Sequence, residues 1–167
     1  MTTVTAPLTR RWWAWPVLLV SFPLSGLAAS LLLGPVTTVP AAVVGGSLVG
    51  IVIGATSSLA LRTRLPRWTA ATALGLAVGT VASVLLPVAG PLVQGLALSA
   101  TQAFARPPLH PAVWIPLMTA TWTAGWAVSW VVATSDEPGF VVYGASGALL
   151  TTLVLLAVSV IARRSAR

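Results

Sequence analysis

Six apolar stretches, separated by short polar or proline-rich breaks, dominate the hydropathy pattern of the chain. Each is close to the roughly 20 residues that an α-helix needs to cross a hydrocarbon core of about 30 Å. The pattern predicts an all-α protein, a polytopic transmembrane six-helix bundle, forming one transmembrane domain over residues 1–167. The predicted spans cover residues 13–33, 41–61, 68–86, 88–105, 112–133 and 140–162. The fourth is the shortest, and a re-entrant hairpin made of the third and fourth stretches is the alternative that this pattern leaves open.

Composition supports a membrane protein over a soluble one. Of the 167 residues, 57% are hydrophobic and only 7% are charged, and the mean hydropathy is +0.96. Soluble domains carry about a quarter charged residues, so this composition excludes a soluble globular fold. The chain has no cysteine, so disulfides and sulfur metal ligands are excluded and the redox compartment cannot be inferred.

The positive charges predict how the chain is oriented in the membrane. All nine basic residues are arginines at the ends of predicted spans, which argues against a nucleic-acid surface. With six spans, every arginine falls on one side, which the positive-inside rule assigns to the cytoplasm. The exclusive use of arginine, in a chain rich in alanine, valine, leucine and glycine, is typical of GC-rich bacterial coding. We therefore predict a bacterial inner-membrane protein with both termini cytoplasmic. The first stretch, at about 21 residues, is longer than the apolar region of a signal peptide and is expected to be a span.

The even-numbered and odd-numbered spans each resemble one another, which predicts an internal repeat. Residues 44–62 align with 88–106 and, in the same phase, with 147–163, while the third span aligns with the fifth and the first. The unit is a two-helix hairpin used three times. Because two spans return the chain to its starting side, the three repeats are parallel, unlike the inverted repeats of many transporters.

Small residues recur every fourth position along five of the six spans. Such stripes let helix backbones approach closely in lipid, where burying leucine against leucine gains little. We therefore predict intramolecular helix packing through these glycines, with contact between copies of the chain as the alternative. The glycines concerned are Gly46, Gly50, Gly54, Gly75, Gly79 and Gly125.

The second and third spans carry a recognisable motif. Gly50 and Gly54 precede Leu61-Arg62, and Trp68 is followed by Gly75 and Gly79. This segment resembles the repeats of a group of small bacterial multi-spanning membrane proteins, which read G-x3-G, a Gln-Trp pair, Leu-Arg, then W-x6-G-x3-G. Ser57 and Ser58 stand where that group has glutamine and tryptophan. The resemblance implies a helical repeat bundle and carries no established activity.

Residues that could perform catalysis are scarce. The segment 144–147 matches the G-x-S-G motif of rhomboid proteases, but the only histidine, His110, lies at the other end of the predicted spans. No ionisable residue lies inside a predicted span, which removes the usual groups for proton relay. Asp136 and Glu137 alone are too few for a metal site. We predict no enzymatic activity, no metal and no cofactor.

A ladder of tryptophans in the fifth span is the best candidate for a functional site. Trp122, Trp126 and Trp130 recur every fourth residue and so share one helix face. Such a ladder could line a pocket for a flat, cationic or isoprenoid molecule, with Gln94 and Gln102 as polar partners. The alternative is that the indoles only pack against other helices or face lipid.

These observations predict a non-enzymatic membrane protein whose solvent is the lipid bilayer. We expect it to hold a small apolar molecule beside the tryptophan ladder, or to act as an accessory module that docks on a membrane protein partner. The alternative is a transport component, such as the substrate-binding subunit of an ATPase-driven vitamin importer. A homo-oligomer is compatible with either function, and nucleic acid is not an expected partner.

Overall fold

A computed structural model describes residues 12–132 and 139–165; within these, only the backbone is described for residues 129–132, 139–146 and 165. The described residues form six α-helices and no strand. The helices are α1 (Ala14–Leu33), α2 (Val39–Leu61), α3 (Leu65–Leu85), α4 (Gly90–Phe104), α5 (Pro111–Val132) and α6 (Gly139–Ser165).

Prolines lie within the first two positions of four helices, including α5, which begins at Pro111. Pro40, Pro66 and Pro91 occupy the first or second position of α2, α3 and α4, where their missing N–H is not needed by the helix. Helices α2 and α3 therefore begin two and three residues before the predicted spans do. Thr38 adds a side-chain cap to α2, because its hydroxyl accepts a hydrogen bond from the Ala41 amide at 3.4 Å.

The helices form a closed ring. Each helix packs against the next one along the chain, and α6 packs against α1, which completes the circle; α2 and α6 also touch lightly. The connections between consecutive helices are three to six residues long. A parallel neighbour would need a connection that spans the full length of a helix, so consecutive helices are antiparallel. The ring consequently has two ends, each carrying alternate connections.

All the described arginines lie at one end of the ring, which we call the arginine end. They are Arg62, Arg64, Arg67, Arg106, Arg163 and Arg164. The Arg67 guanidinium donates a hydrogen bond to the Phe104 carbonyl and so ties the start of α3 to the end of α4. The other end, which carries the connection 86–89, we call the opposite end.

The outer surface of the ring is apolar. Leu31, Leu32 and Phe104 are more than 70% exposed, and leucines and valines along every helix are exposed with them. A surface of this kind is stable only against lipid or another apolar partner. Among the described residues, α1, α2, α3 and the segment Gly147–Arg164 of α6 are long and apolar enough to cross a membrane. The helices thus indicate an integral membrane protein.

Glycines set the distance between neighbouring helices. A methyl group added at Gly50 would lie 2.5 Å from Cα of Ala73 on α3, and one at Gly54 would lie 2.8 Å from Cα of Thr69. Real Cβ atoms do not approach backbone so closely, so α2 and α3 pack in a way that only glycine permits. The other predicted packing glycines lie at similar contacts: Gly46 against α3, Gly75 and Gly79 against α4, and Gly125 against Gly147 of α6.

Two buried tryptophans fill the half of the ring nearest the arginine end. Trp68 and Trp114 are 1% and 0% exposed, and their rings meet edge to face with centroids 5.5 Å apart. The Trp68 indole N–H donates to the Ser57 hydroxyl at 3.0 Å, which links α3 to α2. Leu18 and Leu98 complete this packed layer. The interior of the ring is therefore closed at this level.

Candidate ligand-binding cavity

A cavity lies on the axis of the ring, at mid-depth and towards the opposite end. Every helix contributes to its wall. Its empty space, counted with its partly open mouth, is about 610 Å³, and the part that admits the centre of a water molecule is about 80 Å³. The lining residues are Phe22, Gly26, Gly46, Val49, Ile53, Leu76, Thr80, Gln94, Trp122, Gly125, Trp126, Gly147 and Thr151.

The side of the cavity facing the arginine end is formed by aromatic and aliphatic side chains that meet across the ring. The rings of Phe22 on α1 and Trp122 on α5 lie 6.0 Å apart at an interplanar angle of 41°. Ile53 and Leu76, both buried, belong to the same apolar cluster as Phe22. Because Trp68 and Trp114 lie beyond this layer, the cavity ends within the ring.

Glycines from several helices border the cavity and contribute no side chain to its space. Gly26, Gly46 and Gly147 come from α1, α2 and α6, and all three border the cavity. At Gly147 an added methyl group would have ordinary contacts of 3.7 Å with Gly125, so this position leaves room for a side chain that the glycine lacks. The same residue type that draws helices together at their contacts therefore leaves space on the axis.

Gln94 is the most polar group in the wall. Its side chain is 6% exposed, and its Oε1 accepts a hydrogen bond from the Ser83 hydroxyl at 3.3 Å. Its amide nitrogen makes no hydrogen bond to the described residues. The nearby Thr80 hydroxyl donates to the Leu76 carbonyl at 2.7 Å, so it retains only the capacity to accept.

Three of the five residues predicted from the sequence to bind a ligand border this cavity: Trp122, Trp126 and Gln94. The side chain of Trp130 lies outside the described residues, so its position in the ladder stays a prediction. Gln102 lies elsewhere, nearer the arginine end. Its amide donates to the Thr72 hydroxyl at 3.1 Å, and its Oε1 is buried without a partner. Gln102 thus joins α4 to α3 and does not face the cavity.

Most of the wall was not predicted from the sequence, since three of its thirteen described residues were expected to bind a ligand. Phe22, Val49 and Ile53 look like ordinary span residues, and no pattern in the sequence distinguishes them from lipid-facing neighbours such as Val52. Thr80 and Thr151 offered a weak signal, since each is a polar residue within an apolar stretch. The feature that selects all five is their position on the ring axis, which depends on which helix faces are turned inward.

The residues considered for catalysis are far from the cavity or outside the described part of the chain. His110 is exposed at the arginine end, where its Nδ1 accepts a hydrogen bond from the Ala112 amide at 3.3 Å. The side chains of Ser146, Asp136 and Glu137 lie outside the described residues. Among the residues that are described, no three metal-ligating side chains come together. The cavity is therefore the site on which a function can be argued.

No family model, curated protein or solved structure matches the chain. The function must accordingly be derived from the geometry of the ring and its cavity.

Proposed function

We propose that this integral membrane protein is a binding protein that holds a small, mainly apolar molecule in the cavity at the centre of its helix ring. The supporting observation is that the cavity is bordered by all six helices and by two tryptophans, with one buried amide and two threonines in a mainly apolar wall. Concave, apolar sites with a few polar groups are typical of small-molecule binding. The packed layer around Trp68 and Trp114 favours retention of a molecule over its passage through the ring.

The proposal includes six membrane passes built as three two-helix hairpins. The paired backbone geometry of Arg62 and Arg106 supports it. Arg62 caps α2 at φ 60° and Arg106 follows α4 at φ 62°, and they are the non-glycine residues with positive φ in the described chain. Left-handed geometry is uncommon outside glycine. Left-handed backbone at two positions that align in the sequence fits two copies of one repeated unit. The remaining pair of antiparallel helices in the ring would be the third copy.

We further propose that the arginine end faces the cytoplasm of a bacterial inner membrane, because basic residues are retained on that side. The natural chain has no cysteine, so single cysteines can be introduced cleanly. Val88 is 96% exposed at the opposite end, and His110 is exposed at the arginine end. We expect an impermeant thiol reagent added to intact cells to label Val88→Cys and to label His110→Cys only after lysis. Labelling of both from outside would contradict the six-pass topology.

Ligand retention can be tested by filling the cavity. Val49 borders it and is only half-buried, so Val49→Phe should place a ring in the empty space without breaking a hydrogen bond. Native mass spectrometry of the protein released from its own membranes should show a fraction that carries an additional small mass. In the Val49→Phe variant we expect this fraction to be lower by at least about tenfold. Val52→Phe, on the same helix with an exposed side chain, is the matched control. Equal occupancy in all three proteins would contradict the proposal.

A further inference from the structure

The part of the cavity wall that the structure describes carries no charge. Among its lining residues there is no aspartate, glutamate, lysine, arginine or histidine. Moving an unpaired charge into such surroundings is strongly unfavourable, and the nearest described guanidinium groups lie at the arginine end, beyond the Trp68 layer. A neutral occupant therefore fits this wall better than an ionic one.

The hydrogen-bonding capacity that remains unused in the wall is mainly that of a donor. Gln94 is 94% buried, and its Oε1 shares the single proton of the Ser83 hydroxyl, at 3.3 Å, with the Gly79 carbonyl, at 3.1 Å. Its amide nitrogen has no partner among the described residues. The Trp122 indole N–H, which belongs to the same wall, is buried without a partner. A buried donor left unsatisfied costs about 1–3 kcal/mol, so an occupant that accepts hydrogen bonds in this part of the wall is stabilised. The occupant that complements Gln94 therefore presents an acceptor, such as a carbonyl oxygen.

Gln94 and two tryptophans border the same cavity. Gly95 follows Gln94, and a methyl group added there would lie 3.3 Å from Cβ of Trp122, so this part of α4 packs directly on the tryptophan. Trp126, one helical turn further, borders the same cavity. Indole rings bind planar groups through stacking and dispersion. An acceptor held by Gln94 would therefore be carried by a planar, apolar ring system.

We propose that the cavity binds a neutral, planar, carbonyl-bearing apolar molecule, of the chemical class of quinones and aromatic ketones, whose oxygen accepts a hydrogen bond from the Gln94 amide. This inference rests on the proposed binding function and names its ligand class. It differs from the cationic ligand that the tryptophan ladder alone would permit, because no carboxylate accompanies the indoles in the described wall.

The test uses three probes of one shape: methylnaphthoquinone, methylnaphthalene and methylquinolinium. Binding of each to the full chain in lipid nanodiscs is measured by equilibrium dialysis, with empty nanodiscs subtracted. We expect the naphthoquinone to bind about tenfold more tightly than the naphthalene, the factor that one additional hydrogen bond typically provides. The quinolinium should bind no better than the naphthalene. This comparison uses the unaltered protein, so it does not depend on a variant that folds.

Gln94→Met keeps the side-chain atoms that pack over Gly79 but removes the amide, and it should abolish the preference for the naphthoquinone. Gln102→Met is the matched control, because that glutamine lies on the same helix and bonds Thr72 away from the cavity. It should leave the preference unchanged. Equal binding of naphthoquinone and naphthalene, or tightest binding of the quinolinium, would overturn the ligand class while leaving a binding site in place. If the unaltered protein bound none of the three probes more tightly than the Val49→Phe variant does, both proposals would be overturned.

Discussion

Gly50→Ala should lower the free energy of unfolding by about 3 kcal/mol, near the upper end of the usual cost of overpacking. The new methyl group would lie 2.5 Å from Cα of Ala73, 2.9 Å from the Thr72 carbonyl oxygen and 3.0 Å from the Ala73 nitrogen. All three atoms belong to the backbone of α3, so no side chain can rotate to make room. The two helices would have to separate, and their dispersion contacts would weaken along the whole interface. The midpoint of thermal unfolding in detergent, followed by loss of helical circular dichroism, measures the effect.

Gly45→Ala provides the matched control on the same helix. Its added methyl group would meet side-chain atoms of Leu33 at 3.3 Å and of Val36 at 3.7 Å, both of which can shift. Since alanine also restricts the unfolded chain, this variant should match the original protein or exceed it by up to about 0.5–1 kcal/mol. If the two variants unfolded at the same temperature, the close approach of α2 and α3 in the structure would be incorrect.

Trp68→Ala should destabilise the ring by about 3–5 kcal/mol, the usual cost of truncating a buried aromatic residue. The side chain is 1% exposed, packs edge to face on Trp114 and bonds Ser57 on the neighbouring helix. Its removal would leave a cavity in the layer that closes the interior near the arginine end. The Ser57 hydroxyl would keep its own hydrogen bond to the Ile53 carbonyl at 2.6 Å, so lost packing accounts for most of the effect. Thermal unfolding by circular dichroism is again the measurement.

Two further variants separate packing from the hydrogen bond and from the loss of any tryptophan. Trp68→Phe keeps most of the ring and removes the N–H, so it should cost less than half as much as the alanine. Trp12→Ala removes a tryptophan that is 71% exposed and should change stability by less than about 0.5 kcal/mol. A loss as large for Trp12→Ala as for Trp68→Ala would show that the buried aromatic layer does not stabilise the protein.

Hydropathy alone predicted the number and type of the helices, because the apolar stretches are long and their breaks contain proline. The residues at which the helices begin were predicted less well, because Pro66 interrupts the hydropathy pattern yet fits the first turn of α3. The pairing of α6 with α1 was not predictable either. No short connection joins α6 to α1. They meet because each helix is placed beside the preceding one in the same direction around the ring.

The sequence predicted part of the candidate site. Of the two glutamines predicted to bind a ligand, Gln94 borders the cavity and Gln102 does not. They lie on one helix eight residues apart, which separates them by about 12 Å along its axis and turns them by roughly 80°. That axial separation places Gln102 at the depth of Thr72, outside the cavity, and the sequence does not say at which depth the cavity lies. Trp122 and Trp126 are a single turn apart and so reach the same space. The glycines that border this space, such as Gly147, resemble packing glycines in the sequence.

Closure between α6 and α1 means that no helix of the described ring is terminal in space: each has a neighbour on both sides. A cut in the polypeptide at any one connection would consequently leave every interface intact. Two fragments, one carrying α1 to α3 and the other α4 to α6, would be expected to reassemble by forming both seams together. Circularly permuted versions that start at the 86–89 connection would likewise keep the arrangement, because continuity of the backbone is not what holds the circle together.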